Sequence, residues 1–157
     1  MAIELSTAGI KVGYAIETTS GTRPTTSYNQ IRGVKSISEY NPEPATLEVT
    51  DLSDAEWKRY IPGLKDPGGV QSLTVNDFED FRTDWASMLS AYGSASADGK
   101  ALWVQYNIPN HDSYFYRAVP SDLGFNGADV DSVLENVAYF TPNSAPIWAT
   151  GVSVTHA

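Results

Sequence analysis

Apolar and polar residues alternate with a period of two along most of this chain, and that feature confines it to a mainly β fold. Side chains on an extended strand point to opposite faces in turn, so such a pattern buries one face and wets the other. Ile10, Val12, Tyr14 and Ile16 share one face; Lys11, Gly13, Ala15 and Glu17 share the other. A second strand is expected over Ile31 to Tyr40, after a loop at 18–29. The prolines of Asn41-Pro42-Glu43-Pro44 break it, because proline cannot donate to a ladder. Residues 45–50 alternate again, and further strands are expected at 70–75, 102–108, 113–119, 130–140 and 147–155.

One segment follows a different period. Phe81, Trp85, Met88, Leu89 and Tyr92 fall at i, i+4, i+7, i+8 and i+11, which predicts a helix over 80–92 with one apolar face. Asp77, Glu79 and Asp80 suit its N-terminal end, and Gly93 suits its C-terminal stop. Ser53 and Glu56 have capping-box spacing, so a short helical turn is expected there, ended by Pro62-Gly63. Asp66-Pro67-Gly68-Gly69 reads as a turn. With 157 residues and no linker or repeat, the chain is one domain, 1–157.

The residues that carry chemistry are sparse. There is no cysteine, which removes disulfides, thiolate metal sites and cysteine nucleophiles. His111-Asp112-Ser113 has the letters of a triad, but neighbours on an extended chain point apart. His111 therefore reads as a turn residue, and His156 as part of a mobile end. Asp51, Asp54 and Glu56 lack calcium-loop spacing. Gly68-Gly69 lacks the Lys-Ser or Lys-Thr of a phosphate loop. No enzyme, cofactor or metal is expected. A net charge of −9 argues against holding nucleic acid through phosphate neutralisation. No apolar run reaches the roughly 20 residues of a membrane span. Met1-Ala2-Ile3-Glu4 does not open like a signal peptide, so synthesis and folding in a cytoplasm are expected.

Residues 40–70 form a long stretch without an expected long element. Leu47, Val49, Leu52, Trp57, Tyr60 and Leu64 make it too apolar for disorder. It reads as an ordered arm that buries its apolar side on another subunit. Asp51, Asp54, Lys58, Arg59, Lys65 and Asp66 would supply a charged rim, and Trp148 is a further candidate contact.

Over nearly its whole length the chain resembles the tail tube (major tail) proteins of long-tailed bacteriophages. The resemblance lies in the order of Thr50-Asp51-Leu52-Ser53-Asp54, Tyr60-Ile61-Pro62-Gly63-Leu64-Lys65-Asp66, the helix, and Gly99-Lys100-Ala101-Leu102. It continues through Ile108-Pro109, Tyr116-Arg117-Ala118, Gly124, Val130-Asp131-Ser132-Val133-Leu134, Phe140-Thr141-Pro142 and Ala145-Pro146-Ile147-Trp148. It implies a β-sandwich or barrel-like subunit with one packed helix, whose sheets join across a hexameric ring. Rings stack into a hollow tube that passes DNA without binding it. It implies that 40–70 is the inter-ring loop and that 1–8 and 147–157 are terminal arms. The implied partners are further copies, a tape measure protein, and tail tip or terminator proteins, in a virion tail assembled in the host bacterial cytoplasm. The tube of a contractile injection or type VI-like secretion system shares this fold. A stand-alone β-sandwich binding module is the alternative from another class.

Overall fold

The computed structural model describes residues 4–66 and 69–156, so the expected turn at 66–69 lies partly outside the described residues. Eleven strands and one helix follow in the order β1 (Lys11–Ile16), β2 (Tyr28–Ile31), β3 (Val34–Ile37), β4 (Glu43–Glu48), β5 (Tyr60–Asp66), β6 (Gln71–Asn76), α1 (Glu79–Ala97), β7 (Leu102–Asn107), β8 (Ser113–Pro120), β9 (Glu135–Pro142), β10 (Ile147–Ala149) and β11 (Val154–Thr155). Nine strands form one sheet in the order β11-β2-β1-β7-β8-β9-β6-β3, with β10 on β8; β4 and β5 form a separate ribbon.

The sheet curls into a half-barrel, and chain connectivity shows why it must. The expected single strand over 31–40 is two strands, and they lie near opposite edges of the sheet. Only Arg32 and Gly33 join them. The three residue steps from Ile31 to Val34 span about 10 Å at most, so the edges are drawn together there. Gly33 makes this turn at φ +87°, and a Cβ on it would meet the Phe78 ring at 2.5 Å.

Inside the curl, Val12, Tyr14, Leu73, Val75, Leu102, Val104, Tyr116 and Phe140 pack with Phe81, Trp85 and Met88 of α1. Trp85 meets Phe81 and Phe140 at ring distances of 5.8 and 5.2 Å, and its indole N–H donates to the Ser121 carbonyl. The helical period thus marks the core-facing stripe correctly, but the stop does not fall at Gly93. The helix runs through that exposed glycine to Ala97, because Ala95 is buried and Ala97 is a strong helix former. Gly99, at φ +71°, is the true C′ residue: Lys100 N–H donates to Ala95 O and Gly99 N–H to Ser96 O, a Schellman closure.

The outer face is not simply wet. Ala15, Tyr28, Trp103 and Phe115 are buried there under Val152 and Val154. The C-terminal segment is strapped down by Gln105, whose amide donates to Val152 O (3.1 Å) and accepts from Val152 N–H (3.0 Å). β1 is consequently buried on both faces, where alternation alone predicts one. β9 starts at Glu135 and not at Val130; residues 125–134 are irregular.

Candidate functional site

The arm expected at 40–70 holds a β-hairpin built from β4 and β5. Leu47 pairs with Ile61, Glu48 with Tyr60 and Glu43 with Asp66. Proline fits within it because each strand has only one neighbour, so Pro44 and Pro62 can point their missing donor outward. Near the bulge between Pro44 and Thr46 the strands approach closely; a Cβ on Gly63 would lie 3.2 Å from that of Ala45. Pro62 and Gly63 therefore sit inside a strand instead of ending a helix.

The tip is not helical, and its carboxylates serve the turn. Asp51 accepts from the Ser53 N–H and hydroxyl, and Asp54 accepts from Asp51 N–H. Arg59 reaches back to Asp54 at 2.8 Å and to Asp51 at 3.3 Å, while Thr50 accepts from Arg59 N–H. Bonding by Ser53 holds the Asp51 carboxyl below its ordinary pKa. The guanidinium stands where a cation would need to sit. A closed polar knot, not a capped helical turn, thus fixes the tip.

Apolar side chains stand in the open along the whole hairpin. Leu52 is fully exposed, Leu64 is 90% exposed and Trp57 80%. Leu47, Val49 and Tyr60 are exposed as well. Lys58 has no ion pair or hydrogen bond among the described residues. Trp148 lies elsewhere, on β10, edge-on to Tyr114 at 4.8 Å and beside His111. It shares a groove with Tyr40, where the chain leaves β3 toward the hairpin. The candidate residues therefore occupy two surfaces.

A third apolar surface is missed by the sequence reading. Phe125, Val130 and Val133 are exposed on the 125–134 loop. Assigning 130–134 to a strand hid them, although Asn126-Gly127 and the Asp129/Asp131 pair are poor strand formers.

Buried ion pairs on the body hold elements in place. Asp77 is bound by Arg82 at 2.6 and 2.8 Å, which lowers its pKa, so it is not merely a helix-end charge. Asp84 accepts from Arg32 through backbone N–H, Nε and Nη2. Burial alone would raise the Asp84 pKa, but these bonds and His156 outweigh it and lower it. His156 Nε2 lies 3.5 Å from Asp84, so this residue is docked and not loose. Glu17 likewise overcomes burial by accepting from Trp103, Ala101 and Gly21, with Arg117 nearby. Tyr106 and Tyr116 share a 2.6 Å hydroxyl contact in the core; burial pushes Tyr106 up to about 12.

Solved structures share this fold at low identity. A chain in the 6-fold symmetrised anti-feeding prophage baseplate aligns with a TM-score of 0.63 at 9% identity, covering 94% of this chain and 97% of that one. A chain in the tail of an empty gene transfer agent particle aligns at 0.61 and 14%, covering 94% and 100%. One in the sheath/tube terminator of an extracellular contractile injection system aligns at 0.54 and 14%, covering 95% and 100%. The fold is thus one found in phage-like tails and injection machines. The sequence itself matches the phage tail tube protein family over residues 9–149, and the chain belongs to that family. It is a structural protein of phage or phage-like tails. No curated protein matches the sequence.

Proposed function

We propose that six copies form a ring and that rings stack into a tube through which DNA leaves the particle, with the hairpin of residues 40–70 as the inter-ring arm. The observation that carries this reading is the ribbon β4–β5. Among the described residues it pairs only with itself, and it holds Leu52, Trp57 and Leu64 in the open. An apolar projection of this kind is unfavourable in water and gains on contact with another subunit. Contacts between unlike faces propagate into a filament, whereas ring closure covers exposed sheet edges. Residues 1–8 and 147–157 would add contacts at the ends; Val152 and Val154 are laid on the subunit's own sheet, while Ile147 and Trp148 of that segment stay exposed. The role is non-catalytic. Partners beyond further copies would be a tape measure protein and tail tip or terminator proteins. The acidic net charge suits a conduit along which a polyanion slides without sticking.

Negative-stain microscopy of the purified chain at high concentration, with size-exclusion chromatography, tests the reading. Rings or tubes are expected. A compact monomer at every concentration would favour a stand-alone binding module instead.

A further inference from the structure

The hairpin requires a receptor, and strand polarity points to one. The hairpin roots at one end of the β6–β9 pair: it enters past Ser38, whose N–H donates to Ser72 O, and leads back into Gln71, which pairs with Phe140. The 125–134 loop sits at the other end. It leads into Glu135, which pairs with Asn76, and it is tied there by Asp77 N–H on Leu134 O and by Asn136 on Gly124 O. Five residue steps separate the two ends, about 17 Å along the strands. Each subunit therefore presents the projecting hairpin at one pole and this loop at the opposite pole.

The chemistry of the two poles matches. The loop exposes Val130 fully and Phe125 and Val133 by 74% and 70%. Val130 is flanked by Asp129 and Asp131, whose carboxylates have no partner among the described residues. The hairpin tip exposes Leu52 and Trp57 beside the uncommitted ammonium of Lys58; Arg59 occupies Asp51 and Asp54, while the Glu56 carboxylate has no partner among the described residues. Apolar groups can meet apolar groups while Lys58 meets Asp129 or Asp131, as charge complementarity across an interface requires.

We infer that the hairpin tip of one copy docks on the Phe125–Leu134 loop of a second copy in the adjacent ring. This deepens the tube reading and rests on it. The unlike poles make the contact heterologous, so each copy can donate one hairpin and receive one, and the array extends along a single direction.

Charge exchange tests the pairing. Lys58→Glu alone and the double change Asp129→Lys with Asp131→Lys should each raise the concentration needed for tubes by about tenfold or more, since like charges then face each other. Combining all three should restore most of the loss. Circular dichroism checks that each variant folds. If the combination is no better than either part, or if the loop changes leave assembly untouched, the loop is not the receptor. A second readout does not depend on charge. The chain has no cysteine, so a Trp57→Cys chain mixed with a Val130→Cys chain should be joined by a short bismaleimide in tubes and not in dilute monomer. Tubes that form without this cross-link overturn the inference while leaving the tube reading intact. Wild-type protein that forms neither rings nor tubes overturns the tube reading itself.

Discussion

The curled sheet and the β4–β5 hairpin are built from the same kinds of residue and put them to opposite uses. Trp85 is 1% exposed, packed between the tilted rings of Phe81 and Phe140 with its indole N–H satisfied. Trp57 is 80% exposed and touches no other ring among the described residues. In the sheet, hydrophobic burial within the subunit holds strand to strand and helix to sheet. In the hairpin, local means do that work: one ladder, two tolerated prolines, and the Arg59 knot at the tip. A ribbon that keeps its shape by polar bonds leaves its apolar side chains available to a neighbour. On the proposed reading, conformational stability and assembly fall to different regions of one short chain.

The largest expected effect would come from emptying the core. Trp85→Ala should cost about 3–5 kcal/mol, read as a fall in denaturant midpoint, since collapse around such a cavity is incomplete. Near-normal stability with lost assembly would instead make α1 an interface. Asp84→Asn should cost less, about 1–3 kcal/mol, by weakening the bonds that fix the Arg32-Gly33 crossing between β2 and β3. The same unfolding curves check it, and an unchanged midpoint would show that Gly33 and the ladder suffice.

Acid should reveal the body's ion pairs next. Glu17, Asp77 and Asp84 all have pKa values lowered in the folded chain. The unfolded chain therefore takes up protons first as pH falls. The stabilisation is fully present above the ordinary carboxylate range, about pH 4, and is lost as pH drops through the lowered folded values. Melting temperatures between pH 7 and pH 3 should decline toward the acid end, and less steeply in Asp84→Asn.

The smallest effects on folding belong to the hairpin. Trp57→Ala and Leu64→Ala should change monomer stability by no more than about 0.5 kcal/mol, as exposed substitutions do, while weakening tube formation. Deleting 44–66 should leave the body's melting temperature close to that of the parent and abolish tubes. Failure of that truncated chain to fold would place the hairpin in the core and erase the contrast.

How far the sequence disclosed this arrangement varied with the range of the interactions involved. The stripe Phe81–Trp85–Met88 was legible because helix periodicity and core burial agree locally. The apolar excess of Leu52, Trp57 and Leu64 was legible because no solvated loop needs it. The stop at Gly99 was not, since Gly93 is as good a local signal and only the packing of Ala95 prefers the later one. The loop at 125–134 was hidden because the β-branched Val130 and Val133 directly precede β9 and read as its extension, while that stretch pairs with no described strand.

Strand period, helix face, acidic balance and the lack of cysteine were fixed by residue order alone, because each depends on neighbours within a few positions. The tertiary structure decided what depends on residues far apart. It split 28–37 between two sheet edges, laid Val152 over Gln105, closed Arg59 on Asp51 and Asp54, and set the hairpin and the 125–134 loop at opposite ends of β6 and β9. Those outcomes follow from which strands pair across the whole chain. Strand pairing is set by the joint burial of every face at once, a quantity that no local pattern contains.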